Sequence, residues 1–167
     1  MFPRVRHLAV ALAGAALVLA AAPGVALAAE PWATVNICDT KDHPNRIGLR
    51  GSMTGDGLAG GMYMRFRVQY WNTARKRWLY PTQGGDSGYR RIGTASRRVW
   101  IQAGRTFAFE PPAVGQPALR LRGLITFQWR TPGGRVRKTR FHLTEGGHRD
   151  AAGADPRRFS ASECKIR

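Results

Sequence analysis

The run MYMRFRVQYW, residues 62–71, decides the fold class. Met62, Met64, Phe66, Val68 and Tyr70 alternate with Tyr63, Arg65, Arg67, Gln69 and Trp71. In an extended chain successive side chains point to opposite faces, so one face is apolar and the other carries arginine and aromatic rings. The segment LRLRGLITFQWR, residues 119–130, repeats the design. Leu119, Leu121, Ile125, Phe127 and Trp129 point one way, and Arg120, Arg122, Thr126, Gln128 and Arg130 the other. Each run predicts a strand with one face in a core and one in solvent.

Working outward, shorter strands are expected at 33–38, 46–51, 76–80, 97–102, 105–110 and 162–166, and no helical period is evident. NTARK, QGGDSG, PPAVGQP and TPGG read as the turns between them. TPGG at 131–134 joins the second long run to RVRKTRFHL in a hairpin, where the interval from Val136 to Phe141 and Leu143 predicts a bulge near Lys138 or Thr139. Asp155-Pro156 is expected to cap a single helical turn before the last strand. EGGHRDAAGAD, residues 145–155, reads as a long loop inside one domain. Seven or eight short strands predict an all-β, antiparallel sandwich of immunoglobulin-like or fibronectin type, with a small closed barrel as the alternative. In that scheme 62–71, 76–80, 105–110, 119–130 and 135–144 stand as strands C, C′, E, F and G.

The first residues read as an export signal. Arg4 and Arg6 precede an apolar run from Leu8 to Leu19, and Ala26-Leu27-Ala28 has the small-x-small pattern of a cleavage site. Residues 1–28 are therefore expected to be removed, leaving a secreted, extracellular domain over 29–167 with no stable membrane insertion. Export places the two cysteines, Cys38 and Cys164, where thiols pair, and a disulfide between them would join the domain's two ends.

The formal net charge is +17, and arginine supplies most of it, since lysine occurs only at 41, 76, 138 and 165. A GC-rich genome can enrich arginine through codon composition, yet the surface still attracts nucleic acid, anionic wall polymers, acidic polysaccharide or anionic lipid. If 62–71 and 119–130 are neighbours, Arg65, Arg67, Arg120, Arg122 and Arg130 gather on one outer face with Trp71, Tyr63 and Gln128 among them. Arg135, Arg137 and Arg140 would border it. Guanidinium groups donate to phosphate, sulfate or carboxylate, and rings stack on sugar or base, so this is the candidate polyanion-binding face.

The disulfide would also bring Asp39, Asp42 and His43 near the chain's end, where His148, Asp150 and Asp155 lie on the preceding loop. These are the ligand types for a divalent ion or for acid and base work, although the spacing matches no metal motif. G-x-S-x-G, H-E-x-x-H and P-loop motifs are lacking, and no cysteine remains as a nucleophile once the bridge forms. The expectation is a non-catalytic binding or cell-envelope module without a cofactor. A hydrolytic or metal-dependent enzyme using the loops near the bridge is the alternative, and a protein-interaction module is the third. Oligomeric state has no signal here.

WATVNICDT, HPNRIGLRGSM, MRFRVQYW, LRGLITFQWR and GADPRRFSASECKI are spread from residue 32 to residue 166, nearly the whole span of the mature chain. They resemble a group of small, uncharacterised secreted proteins of actinobacteria. The resemblance implies export and an immunoglobulin-like sandwich, and it implies no chemistry.

Overall fold

The computed structural model describes residues 30–167; the export signal expected over 1–28 lies outside the described residues. Nine strands follow one another: β1 (Trp32–Cys38), β2 (Arg46–Thr54), β3 (Gly61–Asn72), β4 (Arg77–Leu79), β5 (Asp86–Thr94), β6 (Trp100–Ala108), β7 (Leu119–Arg130), β8 (Val136–Leu143) and β9 (Glu163–Ile166). They form two antiparallel sheets, one ordered β1-β2-β6 and one of six strands built along β4-β3-β7-β8. These orders are A-B-E and C′-C-F-G, so the fold is an open immunoglobulin-like sandwich rather than a closed barrel.

The two long alternating runs form the centre of the larger sheet, paired from Gly61↔Arg130 to Tyr70↔Leu121. Each outer edge of this pair is shared by two short strands. β5 covers the first half of β3 and β4 its end, while β9 covers the start of β7 and β8 the remainder. Met62, Met64, Phe66 and Val68 face inward opposite Leu121, Ile125, Phe127 and Trp129, and all are buried. The smaller sheet contributes Ala33, Val35, Ile47, Leu49 and Met53 to the same core. Burying a side chain of Leu, Ile, Met or Phe size contributes about 1.5–3 kcal/mol, which makes this shared layer the main source of stability. Gly51 lets the sheets approach there, since a Cβ would stand 3.0 Å from Ile125 and 3.2 Å from Phe127. Trp129 Nε1 donates to the Thr54 carbonyl at 2.9 Å, satisfying the indole at the inter-sheet boundary.

The disulfide Cys38–Cys164 links the end of β1 in one sheet to β9 in the other, across 126 residues of sequence. The long loop expected after β8 crosses the outside of the smaller sheet. Asn36 Nδ2 donates to the carbonyls of Ala152 (3.1 Å) and Gly153 (2.9 Å), and Gln102 exchanges bonds with Asp150 and Ala152. Thr34, Asn36 and Ser52, polar residues of an outer sheet face, are buried as a result.

Three local expectations are corrected. Residues 86–94, where QGGDSG reads as a turn and no strand is expected, form β5; this edge strand is solvated on both sides and shows no alternation. The two strands expected at 97–102 and 105–110 are one, β6, and Gly104 continues it. Gly104 is there for space: a Cβ would meet Arg50 Cζ at 3.0 Å and the Leu49 carbonyl at 2.7 Å. Asp155-Pro156 opens a turn closed by Phe159 N–H donating to the Pro156 carbonyl (2.9 Å), not a helical turn. The bulge in β8 falls at Arg137, next to the expected Lys138, because Trp129 pairs with Lys138 and Arg130 with Val136.

Candidate functional site

Strand alternation carries Arg65, Arg67, Arg120, Arg122 and Arg130 to the outer face of the larger sheet, as their burial and register show. There each guanidinium lies against an aromatic ring. Arg130 stands 4.3 Å from the Tyr63 centroid and 4.7 Å from Tyr89. Arg65 lies 5.7 Å from Tyr89, and Arg67 lies 5.0 Å from Tyr80. Arg122 is 4.4 Å from Trp78, and Arg120 is 5.7 Å from Trp78 and 5.5 Å from Trp71. The result is a ladder of alternating cations and rings running along β3 and β7. Each such contact contributes about 0.5–1 kcal/mol at an exposed site, and the stacking fixes the long side chains before any ligand arrives.

Hydrogen bonds add to the order. Gln128 accepts from Arg130 Nε (3.0 Å) and Nη2 (2.7 Å), and its amide donates to the Tyr89 hydroxyl at 3.0 Å. Arg122 Nε donates to Gln69 Oε1 at 2.8 Å. Two of the five arginines have carboxylate partners: Arg65 bonds Asp86 through Nε and Nη2, and Arg120 bonds Glu163 through the same two nitrogens. Among the described residues Arg67, Arg122 and Arg130 form no ion pair. Burial lowers the Arg122 pKa from the usual guanidinium value. Arg67 Nε is buried without a hydrogen-bond partner among the described residues. A partly desolvated cation with unused donors gains more from an incoming anion than one already paired.

The bordering arginines behave differently. Arg137, displaced by the β8 bulge, donates to Asp56 through Nε (3.3 Å) and Nη2 (3.0 Å) and to the Ala59 carbonyl at 2.6 Å, so it pins the 55–60 loop. Bulges commonly re-aim a side chain in this way. Arg140 stands 4.0 Å from Glu30, and Phe141, with 70% exposure, takes the outer-face position on β8 beside Thr126.

Alternation predicts Trp71 and Tyr63 as members of the face, but Trp78, Tyr80 and Tyr89 have no such signal in three-residue β4, its flank and β5. The short NTARK turn does place Trp78 across from Trp71, and the two rings meet edge to face at 5.5 Å.

The loop residues read as metal ligands are dispersed. Asp155 meets His43, Nδ1 to Oδ2 2.9 Å, and accepts from Thr40 Oγ1. These bonds, Thr40's foremost, hold the Asp155 carboxyl below its ordinary pKa. Asp39 accepts from the backbone N–H groups of Asn45 (2.8 Å) and Arg167 (3.3 Å). His148 stacks on Trp32 with centroids 4.3 Å apart. Asp42 and Asp150 are exposed. Among the described residues no three His, Cys, Asp or Glu side chains are grouped to hold a metal ion. No helix among the described residues is long and apolar enough to cross a membrane.

No protein-family model matches the chain, and a search of the curated proteins finds no match.

Proposed function

We propose that the chain is a secreted binding module that holds a polyanion along the outer face of the β4-β3-β7-β8 sheet. The carrying observation is the ladder itself: guanidiniums stacked between rings, with Arg67, Arg122 and Arg130 unpaired among the described residues. Five cations against two carboxylates give the face a positive potential, and the ordered side chains reduce the entropy cost of binding. The extended geometry suits a linear polymer better than a small ion. The export signal and the disulfide support a place outside the cell, where wall polymers and acidic glycans are available.

Tryptophan fluorescence titration against heparin at several salt concentrations tests this reading, because Trp71 and Trp78 sit in the face. The double variant Arg67→Gln/Arg122→Gln should weaken binding about tenfold and flatten the plot of log K against log salt by about 1–2, as fewer counterions are released. Arg157→Gln/Arg158→Gln, on the loop across the opposite sheet, serves as the charge-matched control. Equal losses in the two variants would mean that net charge alone attracts the polymer, and unchanged binding in the first would remove the face as a site.

A further inference from the structure

At its Trp71–Arg120 end the ladder runs into a cavity of about 630 Å³, lined by Trp71, Thr73, Glu110, Gln116, Leu119 and Arg120 among others. Its far wall is the segment between β6 and β7, which carries Pro111, Pro112 and Pro117. That wall is fastened at both ends: Phe109 N–H donates to the Asn45 carbonyl at 2.9 Å, and Leu119 pairs with Ile166. A turn from Ala113 to Gln116, closed by a 2.9 Å hydrogen bond, holds its middle. Proline-restricted backbone anchored this way needs little reordering to receive a ligand.

The lining has a particular chemistry. It offers one indole, a carboxylate, a primary amide, a hydroxyl and a guanidinium. Glu110 is exposed and forms no ion pair among the described residues. Arg120 bonds Glu163 through Nε and Nη2 only, which leaves Nη1 as an unused donor. A carboxylate repels a phosphodiester backbone but accepts hydrogen bonds from hydroxyl groups. An indole face stacks on the C–H face of a pyranose, and a guanidinium binds an acidic substituent bidentately or singly. A ligand satisfying all three is a hydroxyl-rich ring bearing an acidic group.

We propose that this cavity is a subsite for one acidic sugar residue, a uronate or a sulfated sugar, of a glycan whose remaining units lie along the ladder. Trp71 supplies the stacking surface, Glu110, Gln116 and Thr73 bond the hydroxyls, and Arg120 takes the carboxylate or sulfate. The assignment rests on the polyanion reading and narrows it from any polyanion to an acidic polysaccharide.

Isothermal titration with trigalacturonate, a heparin-derived tetrasaccharide and the oligonucleotide (dT)10 tests it. Trp71→Ala should weaken the better saccharide about tenfold, the usual range for loss of one stacking surface. Glu110→Gln, an exposed and nearly isosteric change that leaves the fold alone, should weaken it about fivefold, the effect of one lost hydrogen-bond acceptor. The same change should leave (dT)10 unchanged or tighten it, since a repelling charge is removed. A preference for trigalacturonate assigns the acid as carboxylate and a preference for the tetrasaccharide assigns it as sulfate; either supports the subsite. The proposal is overturned if Glu110→Gln tightens saccharides as much as (dT)10, if (dT)10 binds more tightly than both saccharides, or if both cavity variants leave saccharide binding within twofold. Arg67→Gln/Arg122→Gln separates the two levels. Should it weaken every probe while the cavity variants do nothing, the subsite alone fails; should it do nothing, the ladder reading fails with it.

Discussion

A single carboxylate shows how the basic face is kept in order. Asp86 sits at the start of β5 and accepts from Arg65 Nε at 2.9 and 3.1 Å, as well as from Gly88 N–H at 2.9 Å. The Arg65 hydrogen bonds, ahead of the Gly88 amide, hold its pKa below the ordinary carboxyl value. A depressed folded-state pKa means that the unfolded chain binds the proton first as pH falls. The stabilisation is therefore fully present above the unfolded value of about 3.9 and is lost as pH drops through the folded value. Both partners are about one-third exposed, so solvent screening limits the pair to under about 1 kcal/mol. Urea unfolding should show Asp86→Asn less stable than the parent by that amount at pH 7. The two curves should converge as pH falls below the ordinary carboxyl range, and a gap that stays constant through the acid limb would assign the effect to packing instead. Arg65 was legible as an outward-facing residue because its neighbours alternate. Asp86 was not, because nothing near it in sequence signals that it lies in a strand.

At the scale of elements, legibility followed burial on one face only. β3 and β7 announce themselves because each places every second residue in the core, and that contrast is what sequence periodicity records. β5 has polar residues on both faces and two irregularities in its pairing with β3, so its contribution of Tyr89 to the ladder was hidden. β6 reads in sequence as two strands on either side of Ala103-Gly104, whereas Gly104 continues one strand and makes room for Arg50, whose guanidinium lies beneath the 144–162 loop near Gly153. That loop replaces a further strand as the cover of the smaller sheet, and Asn36 is its main fastening. Asn36→Ala would leave the Ala152 and Gly153 carbonyls without their side-chain donor at a buried site, a loss of about 1–3 kcal/mol. The loop carries Arg149, Arg157 and Arg158, all exposed, so its detachment has a direct readout. Limited trypsin digestion should cut the variant after these residues several times faster than the parent, leaving the sandwich core as two fragments that the Cys38–Cys164 disulfide holds together until it is reduced. Equal digestion rates would show that Gln102 and the Ala161 pairing hold the loop without Asn36.

Across the whole molecule, stability and the basic face have separate foundations. The pairing of Cys38 with Cys164 was legible from the expected export signal and from the cysteine count; its placement between sheets was not, because that depends on β9 joining the larger sheet beside β7. Closing 126 residues into one loop restricts the unfolded chain, and in the chain-entropy model this contributes about 4–5 kcal/mol. The ladder depends on other links. Its arginines lie on β3 and β7, which pair with each other over ten residue pairs; β9 adjoins two of them, Arg120 through its ion pair with Glu163 and Arg122 as the strand partner of Glu163. Replacing both cysteines by serine should therefore lower the denaturation midpoint sharply, with most of the model's 4–5 kcal/mol appearing in the unfolding free energy. The same variant, studied at low temperature where it remains folded, should bind heparin within about threefold of the parent, since counterion release by Arg67, Arg122 and Arg130 is unaffected. Loss of binding in a folded variant would instead mean that β9 sets the geometry of the face, and that freeing Glu163 from the disulfide-anchored strand disorders Arg120 and the Trp71 end of the ladder with it.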